Sequence, residues 1–184
     1  MGTRNLTAVY CDGEYKIAQY GQWDGYPEGQ GATALAFANK ISDVYSRELF
    51  REKVRKCHWL TEGEISAIDA LPDWSKKFPE LSRNTGAEIL ELVNSSDGLG
   101  LVNNVEFAAD SLFCEWAWVI DLDKNTFEGY EGFNKTQPLT EEDRFFFLRD
   151  KERSGYYGVK LKKKYSLDDL PATPEFLADF KEEE

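Results

Sequence analysis

The stretch NLTAVYCDGEYKIAQY, residues 5–20, places two runs of β-branched and aromatic residues on either side of Asp12-Gly13. An Asp-Gly pair accepts the positive φ that a two-residue hairpin turn requires. Val, Thr, Ile and Tyr suit a pleated, half-buried surface. The sequence therefore predicts two antiparallel strands joined at Asp12-Gly13.

Working outward, a second hairpin stands at CEWAWVIDL, from Cys114. There Cys114, Trp116, Trp118, Ile120 and Leu122 alternate with Glu115, Ala117, Val119 and Asp121, the period of a strand. A turn at Asp123-Lys124-Asn125 sends the chain back through TFEGYEGF. A later strand is expected from Tyr156 to Lys164, apolar at Tyr157, Val159 and Leu161 and basic at Lys160, Lys162, Lys163 and Lys164. Between and after these lie helical patterns. Leu35, Ala38, Ile41, Tyr45 and Leu49 recur at helical spacing with Arg47, Arg51 and Arg55 on another face, giving one helix or two joined near Ser42 to Ser46. Thr61-Glu62-Gly63-Glu64 reads as a capping box for a short helix ending before Pro72. Further helices are expected at about Gly86 to Val93, through FFFLRD after a cap at Thr140 to Asp143, and after Thr173-Pro174-Glu175, with Thr173 as the cap. The terminal KEEE is expected to fray. The sum is a single α+β domain over residues 1–184. It has a mainly antiparallel sheet of two hairpins plus a later strand, and its helices pack on one face.

Acids outnumber bases 34 to 22, a formal net charge of −12. Such a field repels nucleic acid and anionic membranes, so neither is an expected partner. Cys11, Cys57 and Cys114 are odd in number and form no CxxC pattern, which fits free thiols in a reducing, cytoplasmic setting. Residues 1–30 hold no apolar signal core. Asn5, Asn94 and Asn134 open N-x-S/T triplets that mean little without secretion. The start MGTRNLT misses a myristoylation signal because Leu6 occupies the Ser/Thr position.

The single histidine, His58, would have to carry any Ser-His-Asp or Cys-His mechanism, and its place at a helix end suits a dipole role instead. Zinc-ligand spacing, a Walker sequence and a GxGxxG after a strand are all missing. Asp121 and Asp123 form a D-x-D that resembles a Mg²⁺ pair, but beside a hairpin turn they read as turn supports. No cofactor and no metal are expected.

The densest site signal is the loop YGQWDGYPEGQG, residues 20–31. Gly29 and Gly31 would leave backbone amides open at a helix start, a potential anion seat that Asp24 and Glu28 oppose unless Arg4 or Lys16 offsets them. Trp23 and Tyr26 would stack on or cover a ligand, and Arg4 would pair with an acidic group or with Asp24. The leading expectation is a non-enzymatic binding protein. Its site would comprise Arg4, Trp23, Asp24, Tyr26, Gly29 and Gly31, facing a small ligand or a protein partner. The bland alternative is that the rings cover the sheet edge and the glycines make a tight connection.

Met1-Gly2-Thr3-Arg4 and Gln22-Trp23-Asp24-Gly25-Tyr26-Pro27-Glu28-Gly29-Gln30-Gly31 resemble a group of uncharacterised bacterial and phage proteins. Those proteins share a G-T-R start and a W/F-D-G-Y-P-x-G-x-G segment. The resemblance covers about the first quarter of the chain. It implies Arg4 and the loop as the shared feature, and no particular activity. The opening GTRNLTAVYCDGEYKIA is also similar to the start of proteasome-type subunits. That second likeness implies an N-terminal nucleophile amidohydrolase using Thr3 once Met1-Gly2 is removed. It departs from that family at Gln19 and Leu35, where an acid and a lysine belong, and in having too few strands for two stacked sheets. A third expectation is an acidic, phage-type inhibitor acting by charge mimicry, with acids at Glu62/Glu64, Asp121/Asp123, Glu141 to Asp143 and Glu182 to Glu184. Basic residues at Arg47 to Lys56 and Lys160 to Lys164 interrupt that face.

Overall fold

The computed structural model describes residues 2–181. Strands β1 (Asn5–Cys11) and β2 (Glu14–Gly21) form the first hairpin, with Asp12 at φ 57° and Gly13 at φ 77° supplying the turn. Pro27–Gly31 make one π-helical turn that runs directly into helix α1 (Ala32–Lys40). Helix α2 (Val44–Arg55) is separate because Asp43 is extended and its carboxylate accepts the Ser46 amide at 2.9 Å. The break thus falls inside the window the sequence indicated. The Thr61 capping box is complete and opens α3 (Glu62–Asp69). A short α4 (Trp74–Lys77) follows, and a 3₁₀ turn at Gly86–Glu88 leads into α5 (Ile89–Asn94). Two-residue strands β3 (His58–Trp59) and β4 (Gly100–Leu101) pair in parallel.

Strands β5 (Trp116–Asp121) and β6 (Thr126–Glu131) form the second hairpin, followed by β7 (Lys160–Ser166) and α6 (Thr173–Asp179). The sheet order is β2-β1-β5-β6-β7. Neighbours are antiparallel except β1 and β5, which run parallel from Asn5 opposite Trp116 to Tyr10 opposite Asp121. The outer edge of β2 is occupied toward its C-terminal end. The Gln22 amide donates to the Arg83 carbonyl and the Asn104 amide to the Ala18 carbonyl, both at 2.9 Å.

One sheet face carries Val9, Cys11, Ile17, Trp118, Ile120 and Phe127, packed beneath α1, α2, α5 and α6. The other carries Leu6, Ala8, Ala18, Ala117, Val119 and Tyr130, covered by the 3₁₀ turns Val105–Ala109 and Phe146–Lys151. The α-helices in contact with the sheet therefore lie on one face, as expected, and the second face is roofed by turns and loops. The basic side of α2 clamps the hairpin turns and the segment after β7. Arg51 donates to the Leu122 carbonyl and Asn125, Arg55 to Asp12, and Arg47 to Asp168. Among the described residues no helix is long and apolar enough to cross a membrane.

Several expectations need correction. The FFFLRD segment is a 3₁₀ turn, not an α-helix; its three-residue period sends both Phe145 and Leu148 inward. Asp143 still accepts the Thr140 amide, but as a local turn preceding Arg144. The later strand starts at Lys160, because the Tyr157 and Val159 amides donate to the Asn134 and Ala108 carbonyls and not to β6. Cys114 packs in the turn-covered core, away from Trp118 and Ile120. The α6 cap position is Ala172, and Thr173 is already helical. The KEEE terminus falls partly outside the described residues.

Candidate functional site

Strand alternation puts Ala117, Val119 and Asp121 of β5 and Thr126, Glu128 and Tyr130 of β6 on the turn-covered face. Two acids, Asp121 and Glu128, are thereby carried inside, where a lone carboxylate is costly. Arg144 meets both. Its guanidinium bonds Asp121 and donates to Glu128 at 2.8 Å through Nη2 and 3.4 Å through Nε. The Asp121 carboxylate also accepts the Asp123 and Lys124 amides at 2.9 and 2.8 Å, which closes its own turn. Glu128 accepts the Thr126 hydroxyl at 2.7 Å and the Tyr130 hydroxyl at 2.6 Å.

The electrostatics follow from these contacts. Burial alone would push the Glu128 carboxyl up, but Arg144 and the two hydroxyls outweigh it and hold it below the usual range. Burial opposes the Arg144 charge, and Glu128 and Asp121 more than restore it. The Tyr15 and Tyr130 phenols are raised, chiefly by burial. At the edge of the same site Asp143 is lowered, because Lys160 and the Thr140 amide overcome its burial.

Around this floor the chain builds a wall of rings. The β1–β2 register shifts between Val9 and Tyr10, so that Tyr10 faces Tyr15 and not Lys16. Such a bulge re-aims side chains. It brings Tyr10 and Tyr15 into edge contact at 5.0 Å. Tyr15 then lies between Phe145 and Phe147, 6.1 Å from each and close to parallel. Arg144 sits over the Tyr10 ring at 5.2 Å. Tyr10, Tyr15, Arg144 and Phe147 border a cleft of about 540 Å³, with Phe147 53% exposed at its mouth. The Tyr15 hydroxyl is buried without a hydrogen-bond partner among the described residues.

The loop at residues 20–31 is organised differently. Trp23 and Tyr26 are 44% and 39% exposed; Trp23 donates to Asn84 at 2.7 Å and the Tyr26 hydroxyl to Asp24 at 3.2 Å. The Gly29 and Gly31 amides, expected to be open, both donate to the Tyr26 carbonyl, at 3.0 and 3.3 Å. Their missing side chains have packing reasons. A Cβ on Gly29 would lie 2.2 Å from the Asp24 carbonyl oxygen, and one on Gly31 would lie 2.6 Å from the Trp118 ring. Arg4 lies over Phe113 at 5.2 Å, and among the described residues no ion pair joins it to Asp24. Thr3 precedes β1, and its carbonyl accepts the Gly25 amide at 2.9 Å. The loop is thus one connected unit with the N-terminal segment, and Arg4 is turned toward another part of the surface.

Among the described residues, Cys11, Asp12 and Asp123 form a grouping of potential metal ligands. Its donors are already engaged. Asp12 holds Arg55, Asp123 holds two backbone amides, and burial, with Asp12 beside it, pushes the Cys11 thiol up to about 11. Of the acids proposed for mimicry, Glu64 closes its capping box, Asp121 is buried against Arg144, Asp123 ties a turn and Asp143 pairs with Lys160 at 2.8 Å. Glu182 to Glu184 lie outside the described residues.

Sequence reasoning missed Arg144, Glu128, Tyr15 and Phe147. A signal was present: Thr126, Glu128 and Tyr130 share one strand face, and an acid between two inward residues demands a cation. Fold and cleft together define an α+β protein with a buried, ion-paired pocket floor beneath an aromatic mouth. No protein family, curated protein or solved structure matches the chain.

Proposed function

We propose that this is a non-enzymatic binding protein whose ligand seat is the cleft bordered by Tyr10, Tyr15, Arg144 and Phe147. The observation that carries the reading is a concave, ring-walled hollow of about 540 Å³ on a floor whose polar groups are nearly all committed. A hollow of that volume lies within the usual range of small-ligand sites. Catalysis fits less well, since Asp121 and Glu128 already accept three or more hydrogen bonds each within the fold. The test is a fragment titration followed by NMR on the labelled full chain. The reading expects bound fragments to perturb Tyr10, Tyr15 and Phe147 and to be lost with Phe147→Ala. Fragments clustering elsewhere would overturn it.

A second reading keeps the expected loop as a protein-contact surface. It is favoured by Trp23 and Tyr26, two half-exposed rings each fixed by a side-chain hydrogen bond. Fixed rings lose little entropy on binding. Under this reading Trp23→Ala abolishes partner capture with little salt dependence, while Phe147→Ala leaves it intact.

A further inference from the structure

We infer that the cleft takes an organic cation, an ammonium or guanidinium group on an apolar stem; the inference rests on the reading of the cleft as a ligand seat. The floor supplies the first reason. One guanidinium, Arg144, lies between two buried carboxylates, Asp121 and Glu128, leaving one negative charge in excess. An anion drawn toward Arg144 would meet both carboxylates at comparable range, whereas a cation is attracted by the sum. Around this floor, Glu14 is paired with Lys16 and Asp143 with Lys160, while Glu141, Glu142, Lys124 and Lys164 line the same cleft with no ion-pair partner among the described residues. With Lys16 and Lys160 counted beside the acids they pair, the cleft holds six acids and five bases, one negative charge in excess.

The walls supply the second reason. Ring faces attract cations through their quadrupole, and Tyr10 already holds the Arg144 guanidinium in this way. Phe147, stacked on Tyr15 at 6.1 Å, is half exposed, so its ring offers open aromatic surface in the cleft that Glu141 and Glu142 also line. An alkyl stem would lie along Phe147 with its charged end toward Glu141, Glu142 and the floor. The shared chemistry fits a free polyamine and the lysine or arginine side chain of a peptide alike. Because the buried carboxylates are already bonded, the cation is held by field and ring faces more than by a close ion pair. Binding should therefore be modest and weakened by salt.

The test is calorimetric titration of the full chain with spermidine, N-acetyl-lysine amide, N-acetyl-arginine amide, the neutral N-acetyl-norleucine amide, and glutamate. The expected result is at least tenfold tighter binding of the cationic probes than of the norleucine amide, with no binding of glutamate. Phe147→Ala should weaken the cation at least fivefold, and the Glu141→Gln/Glu142→Gln pair should weaken it and flatten its salt dependence, with melting curves showing each variant folded. Preference for spermidine would indicate a free polyamine, and preference for the acetylated amino-acid amides a peptide side chain. Equal binding of the neutral probe, or cation binding untouched by Phe147→Ala, would overturn the inference. If neutral or anionic fragments occupy the cleft while cations do not, the inference falls and the cleft remains a ligand seat. If no probe or fragment perturbs the cleft, both fall.

Discussion

The Asp123 carboxylate reaches from the second hairpin to the Gly13 turn of the first, accepting the Gly13 amide at 2.9 Å and the neighbouring Asp12 amide at 2.8 Å. The two turns lie at the same end of the sheet because β1 and β5 run parallel. The Asp12 carboxylate in turn takes Arg55 from α2, so two carboxylates in series couple three elements. Asp123→Ala should cost about 1–2 kcal/mol, the scale of charge-assisted hydrogen bonds reduced by exposure. Asp123→Asn should recover part of that loss. Urea unfolding of both variants checks the order, and an unchanged midpoint for Asp123→Ala would show the clasp to be energetically idle.

Removing one carboxylate from the buried floor should be more damaging. Glu128→Gln leaves Arg144 with Asp121 alone, and breaking a buried pair costs about 3–5 kcal/mol. The lower end applies because Asp121 remains. The melting temperature should fall clearly, while Tyr10 and Phe147, which do not bond Glu128, keep their environment. A variant as stable as the parent would contradict the network.

The same group sets an acid limit. Glu128 and Asp143 are held below their ordinary carboxyl values in the folded chain. Their contribution is therefore complete above the unfolded value of about 4.3 for Glu and 3.9 for Asp, and is lost as pH falls through the lower folded values. Stability should be flat from neutrality to about pH 5 and then drop, and in Glu128→Gln the drop should be shallower. Thermal melts from pH 7 to pH 3 measure this.

Two glycine substitutions should move stability in opposite directions. Gly31→Ala drives a methyl to 2.6 Å from Trp118, whose indole also donates to the Gly25 carbonyl at 2.9 Å. Overpacking of that kind costs about 1–3 kcal/mol. Gly63→Ala, near the start of α3, meets nothing closer than 3.9 Å and should stabilise by up to about 1 kcal/mol. Chemical denaturation of the pair is the check.

Thiol chemistry offers a probe of the packing. Cys11 and Cys114 are fully buried and raised, chiefly by burial, whereas Cys57 is only half-buried. A thiol reagent at pH 8 should modify no more than Cys57 in the folded chain, and all three after denaturation. Rapid modification of Cys11 in the native state would show that the Asp12–Asp123 clasp opens.

Local chemistry was legible in the residues themselves. Asp12-Gly13 and the turn at Asp123-Lys124-Asn125 identified both hairpins because each turn requires a backbone conformation that few residues accept. The Thr61 capping box and the helical spacing around Leu35 were equally readable, since each depends only on neighbours within one turn. With the turns, they determined the α+β class and the pairing within each hairpin. Tertiary packing decided what no short window contains. It set the hairpins side by side through the parallel β1–β5 pairing, since β2's outer edge is occupied by residues 83 and 104. It drew Arg144 to Asp121 and Glu128 across sequence separations of 23 and 16, turning a helical-looking segment into a 3₁₀ turn that exposes Phe147. The aromatic loop stood out because its unusual composition is local. The cleft did not, because its charge balance exists only when two inward acids on neighbouring strands must share one distant cation.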